Sequence, residues 1–206
     1  MKTLLFLLTL FTATLASGQK ETMQVMDAGS LKAISINSEE IYRVSISTAP
    51  VHSITIRSRS DGEYFNEISL DSEIRNNTLY LKSRFREILQ SGFDKLSAHK
   101  VFAMEVELEI PEDMSVEIIS NLASVFLEGE YDGVLIQLRA GSAYLKNFDG
   151  DAIINTFDGN IEVQANNAQY EVETRHGNVV LPDLANGSNF LKLTSINGNI
   201  KVQETK

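Results

Sequence analysis

The chain has 206 residues, 43% of them apolar, which is enough for a packed core and argues against wholesale disorder. With 28 acidic against 18 basic residues and a net charge of −10, it lacks the basic face that phosphate neutralisation needs, so nucleic acid is excluded as a partner. Cysteine is absent, which removes disulfide staples, thiolate zinc sites, cysteine nucleophiles and a lipid anchor on an N-terminal Cys.

In chain order, Met1-Lys2 gives a short positive start, and an apolar run from Leu4 to Leu15 follows, interrupted only by Thr. Ala16-Ser17-Gly18 then supplies the small residues a signal peptidase requires. Residues 1–18 therefore read as a cleaved secretory signal, with Gln19 the first residue of the exported chain. No later run approaches the roughly 18 apolar residues of a transmembrane helix. The expected location is extracytoplasmic: periplasm, outer surface or secreted.

Residues 19–112 form an N-terminal β region. Apolar residues two apart recur at Ile34/Ile36, Val44/Ile46, Ile54/Ile56, Ile68/Leu70 and Leu79/Leu81. These couplets predict strands, either less regular coils of the stack described next or an antiparallel cap. Phe85, Ile88, Leu89, Phe93 and Leu96 sit at helical spacing around Gly92, so a short helix or folded loop near 85–97 is expected to cap the core. Met104, Val106, Leu108 and Ile110 alternate with Ala103, Glu105, Glu107 and Glu109, a half-buried strand ended by Pro111.

Residues 113–206 repeat. Similar phrases begin at Ala123, Gly141, Gly159, Gly177 and Gly198, at spacings of 18, 18, 18 and 21. Two and four residues after each start, and five and seven before it, all twenty positions are apolar, from Val116 and Ile118 to Ile200 and Val202. Apolar residues two apart share one side of a strand, so helix is excluded here. Short strands of this kind bury a face only by stacking at about 4.8 Å. The predicted fold is all-β, a parallel β-helix or β-solenoid with turns of about 18 residues. The three extra residues of the last spacing fall in a bend, within Pro182–Asn189, where an insertion disturbs no column.

Asp158-Gly159, His176-Gly177 and Asn197-Gly198 mark tight bends where positive φ is expected at glycine. Asn160, Asn178 and Asn199 follow, predicting a structural asparagine ladder inside the bend. His176 tempts a catalytic reading, since sequence order puts Asp158 and Asn197 one turn to either side, but all three are turn formers. No Gly-x-Ser-x-Gly elbow, His-Glu-x-x-His or phosphate loop occurs. Asp132, Asp149 and Asp158 are single acids, not the repeated Gly-Gly-x-Gly-x-Asp of calcium rolls, so no metal and no cofactor is expected. Arg139 and Arg175 share an outer column with Phe157 between them, a weak basis for a carbohydrate-active enzyme on a parallel β-helix.

Outward positions expose Phe126, Leu135, Tyr144, Ile153 and Val180. An exposed apolar patch marks either a covering segment or a partner surface. Covering by the N-terminal half is the favoured expectation, a partner the other. Lys201, Glu204 and Lys206 on the last unit are expected to blunt the terminal edge against end-to-end growth.

The phrases Phe157-Asp158-Gly159-Asn160-Ile161-Glu162-Val163 and Ile196-Asn197-Gly198-Asn199-Ile200-Lys201-Val202, with the signal and the couplet-rich start, resemble the bacterial "putative adhesin" families of unknown function, including the head-domain type of Bacteroidetes. That resemblance implies an exported, right-handed β-helical domain with no catalytic residue to carry over. The expected function is a non-enzymatic cell-envelope protein that binds a protein or glycan. A carbohydrate-active enzyme is the alternative.

Overall fold

The computed structural model describes residues 19–62, 68–85, 102–182 and 187–205. All regular structure among them is β. A first strand that no couplet predicted, β1 (Gln19–Asp27), precedes the five N-terminal couplets, which become β2 (Ala33–Ser38), β3 (Ile41–Ala49), β4 (Ser53–Gly62), β5 (Ile68–Arg75) and β6 (Thr78–Phe85). The alternating segment is β7 (Phe102–Pro111), with Met104, Val106, Leu108 and Ile110 buried as predicted. The repeats supply β8 (Met114–Ser120), β9 (Ser124–Ala140), β10 (Ala143–Asp158), β11 (Ile161–Ala165) and β12 (Ala168–Thr174). They end with β13 (Val179–Val180), β14 (Asn189–Asn197) and β15 (Ile200–Gln203). The helical spacing near 85–97 falls, beyond Phe85, outside the described residues.

These strands form one connected, open sheet, one path through which runs β1-β4-β7-β3-β9-β10-β11-β15-β13. Strands β9 and β10, 17 and 16 residues long, belong to two faces at once. Their first stretches join β3, β11, β15 and β13, a first face. Their second stretches join β2, β8, β14 and β12, a second face. All these pairs are parallel. Val125 opposes Ala143 and Ala143 opposes Ile161, the eighteen-residue offset of the sequence made physical. The N-terminal half uses both arrangements expected of it: β2 and β3 extend the parallel stack, whereas β1–β4, β4–β7 and β5–β6 pair antiparallel.

The order of the units departs from the order of the chain. Strand β14 lies between β10 and β12, and β15 between β11 and β13, so the last unit is inserted between the two that precede it. A reason is visible at the edge of β10, where three carboxylates meet three neutral donors of β14. The Asn189 amide reaches Asp149 at 2.7 Å, the Phe190 N–H reaches Asp151 at 2.7 Å and the Asn197 amide reaches Asp158 at 2.7 Å. The three-residue excess of the last spacing falls at this reversal. Of the twenty predicted inward positions sixteen are buried, and the four that are not (Tyr170, Val172, Val179, Leu181) all belong to the unit that this insertion pushes outward. The outermost edge is therefore 168–181, with Val179 43% and Leu181 44% exposed, and not the charged last unit.

The tight bend also corrects the reason for its glycines. Positive φ occurs at Gly141, but not at Gly159, Gly177 or Gly198. What those three cannot carry is a Cβ. At Gly159 it would lie 1.9 Å from the Gly141 carbonyl oxygen, at Gly198 2.0 Å from that of Gly159, and at Gly177 2.0 Å from that of Gly198. The asparagine ladder is present beside them, in the new order. Asn160 Oδ1 accepts from Asn199 N at 2.8 Å, and Asn199 Oδ1 accepts from Asn178 N at 2.8 Å. Each such bond contributes about 1 kcal/mol and satisfies the amide that receives it.

Substituting Gly159→Ala is expected to force the bend strands apart and cost about 2–3 kcal/mol, lowering Tm by roughly 5–10 °C. Gly133, whose added Cβ would meet nothing within 4 Å, is the control. Gly133→Ala is expected to change stability by less than about 0.5 kcal/mol. Thermal denaturation of the two variants separates the effects.

Candidate functional site

Alternation leaves every second side chain outside the core, and parallel register aligns them in rows. On the first face one row reads Glu107, Ser45, Phe126, Tyr144, Glu162 and Lys201, from β7 to β15. The Phe126 and Tyr144 rings stack with centroids 4.9 Å apart and planes 11° from parallel, the separation that strand spacing imposes. The Arg43 guanidinium lies 4.0 Å over the Phe126 ring. Glu105 holds that arginine by accepting Arg43 Nε at 3.0 Å while taking Arg59 Nη2 at 3.0 Å. The row, Arg43 and Glu105 line a groove of about 620 Å³, with Arg59 behind them.

Beneath one end of the groove Tyr131 is buried against Phe148, ring centroids 5.5 Å apart. Its hydroxyl donates to the Ile46 carbonyl at 2.9 Å and lies 3.2 Å from that of Glu128, tying the bend of β9 to β3. Burial pushes this phenol up from its ordinary pKa. At the rim, Lys146 Nζ at 3.1 Å and Asn147 Nδ2 at 2.9 Å donate to Glu128 and hold its carboxyl below the usual range.

The five outward residues picked from sequence do not form one surface. Phe126 and Tyr144 share the first-face groove, whereas Leu135 and Ile153 line a second groove of about 490 Å³ beside Tyr80 and Phe190. The two share no lining residue because the strands of one unit lie on different faces of the core. Val180 stands apart at the open end, on β13. The described N-terminal strands extend the two faces edge to edge and do not lie across them. Their contribution is Arg43 on the face of Phe126, with Glu105 and Arg59 behind it. Sequence reasoning missed these three, because only strand order places them beside the rings; Glu162 and Lys201 follow Phe126 and Tyr144 in the same outward column of the repeat but were not picked as site residues. The alternation of Glu105, Glu107 and Glu109 was the available signal.

His176 is exposed, and Asn197 stands between it and Asp158, where sequence order put His176 in the middle. Phe157 and Ile196 both separate Arg139 from Arg175. Asp132 accepts from the Ser115 hydroxyl at 2.8 Å, and Asp149 and Asp158 from the asparagine amides of β14. Among the described residues no three His, Cys, Asp or Glu side chains converge as metal ligands do. No described helix is long and apolar enough to cross a membrane.

The Glu128 contact sets a pH dependence. Its folded pKa lies below the ordinary 4.5, so the stabilisation is present above that value and lost as pH falls through the depressed one. Both partners are largely exposed, which limits the contribution to about 0.5 kcal/mol. Glu128→Gln is expected to lower Tm slightly at neutral pH and not at all in strongly acid buffer. A constant offset at every pH would contradict this.

No protein-family model matches the chain, and no curated protein matches it. Among solved structures the chain is similar to a "putative cell adhesion protein" from Clostridium sporogenes, at 14% identity and TM-score 0.62, over 90% of this chain and 99% of that one. At that identity the likeness is one of fold. A "putative adhesin" from Bacteroides fragilis is 11% identical at TM-score 0.39, over 89% and 97% of the two chains. A "putative lipid binding protein" from Parabacteroides distasonis is 12% identical at TM-score 0.30, over 89% and 97%. The latter two superpose too loosely to bear on this chain.

Proposed function

We propose that the chain is an exported, non-catalytic binding module of the cell envelope, its parallel units wound as a right-handed β-solenoid, that takes a protein or glycan in the first-face groove. The observation that carries this reading is the stacked Phe126–Tyr144 pair, held outside the core at the mouth of a groove of about 620 Å³. Both rings are half-buried and not fully exposed as the sequence suggested, and aromatic side chains that line a concave, charge-rimmed patch are a recurrent feature of recognition sites. The description of the Clostridium neighbour as a cell adhesion protein agrees with it. Export rests on the signal read in residues 1–18.

Arrays of glycans and of envelope proteins, probed with the purified protein, test the reading. A retained ligand is expected to lose at least about tenfold in affinity in the Phe126→Ala/Tyr144→Ala double variant, and deletion of the gene to reduce attachment of whole cells. A ligand held equally well by the double variant would place binding elsewhere. His176→Ala is expected to change nothing. A polysaccharide-cleaving activity abolished by His176→Ala or Asp158→Asn would replace this reading with that of a carbohydrate-active enzyme.

A further inference from the structure

The first-face groove contains one cation site already filled from within. The Arg43 guanidinium is held between a ring face, Phe126 at 4.0 Å, and a carboxylate, Glu105 at 3.0 Å. Arg43 and Glu105 stand one row away, two residues before Ser45 and Glu107, and the small Ser45 is what the Phe126 ring has beside it in its own row. Arg43 approaches Phe126 from β3, so the free face of Tyr144 looks the other way, toward β11. The residue directly opposite Tyr144 on β11 is Glu162, which is exposed. Among the described residues Glu162 forms no ion pair, and its register partner Lys201 on β15 does not close to ion-pair distance. On the β3 side the rings thus meet a cation backed by a carboxylate, reaching in from the neighbouring row; on the β11 side they meet a carboxylate that holds no cation among the described residues.

We propose that the free face of Tyr144 and the Glu162 carboxylate together take a cationic side chain, an arginine guanidinium or lysine ammonium carried by a protein partner. This deepens the reading of the groove as a binding site by choosing protein over glycan and naming the contact. A cation over an aromatic face gains from the ring quadrupole, and a carboxylate beside it adds charge complementarity. The rings are already stacked and Arg43 already docked, so binding orders little that is free. The net charge of −10 favours approach of a basic segment over the whole surface. Lys201 works against the guest, by competing for Glu162 and by repulsion, so the site is tuned below its full strength.

The test is an NMR titration of the purified protein with N-acetyl-arginine amide, and with N-acetyl-citrulline amide as the neutral isostere. Saturable shifts centred on Tyr144 and Glu162 are expected with arginine, and binding about fivefold weaker or worse with citrulline. Tyr144→Leu and Glu162→Gln are each expected to weaken arginine binding by about fivefold, and Lys201→Met to strengthen it. Phe157→Ala, remote from the groove, is the control. Equal response to arginine and citrulline, or arginine binding that survives both Tyr144→Leu and Glu162→Gln, overturns the cation site. If arrays nevertheless find a glycan lost in the Phe126/Tyr144 double variant, the groove stands and only the choice of guest fails. If the double variant retains every ligand, the groove reading fails as well.

Discussion

Parallel strands reach hydrogen-bonding distance at the tight bend only because nothing projects between them. The carbonyl oxygens of Gly141, Gly159 and Gly198 each sit where the Cβ of the next unit's residue would be, so glycine is required by contact and not by dihedral angle. Once the bend closes, the remaining features follow. Ser124, Ser142, Asn160 and Asn199 each offer a side-chain oxygen to the next bend amide. The apolar couplets then fall into columns, and outward side chains into rows. The stacking of Phe126 on Tyr144 is a consequence of that register, not an independent design.

The displaced last unit gives the molecule unlike ends. Inserting Leu191, Leu193, Ile200 and Val202 between two existing layers buries all four. The layer pushed outward carries Tyr170, Val172, Val179 and Leu181, and its β12 edge presents Glu171 and Glu173. Charged side chains along an edge strand discourage addition of another chain, so the blunting expected of Lys201 and Glu204 is supplied by other residues. The other end is finished by antiparallel pairs, β1 on β4 and β5 on β6, joined across the gap by Ser72 and Gln24 at 3.4 Å.

The class of the fold, its unit length and most of its core were legible in the sequence because period-two burial is a local property, whereas Ile41, Tyr131, Leu138 and Phe148 lie outside the couplets and were not read as core. Val116, Ile118, Val125 and Leu127 declare their side without reference to any partner. The order of units was not legible. It depends on whether Asn189, Phe190 and Asn197 or their counterparts on β12 meet the acids of β10, a choice between strands that share one apolar pattern. For the same reason half of the site was readable and half was not. Phe126 and Tyr144 stand out as apolar residues at outward positions, whereas Arg43 and Glu105 lie 83 and 21 residues upstream of Phe126 and join it only through the pairing of β3 and β7 with β9.

The unit order is open to direct measurement, and the absence of native cysteine makes the chain a clean background for it. Ile153 on β10 is directly opposite Lys192 on β14, and Glu171 lies one strand further out. Neighbouring parallel positions are about 4.8 Å apart and can be bridged by a disulfide, whereas two strand spacings, roughly 9–10 Å, cannot. Mild oxidation is expected to cross-link the Ile153→Cys/Lys192→Cys variant and to leave Ile153→Cys/Glu171→Cys reduced. Cross-linking of the second pair and not the first would mean that the units stack in the order of the chain, and that the arrangement of the site's neighbours described above is wrong.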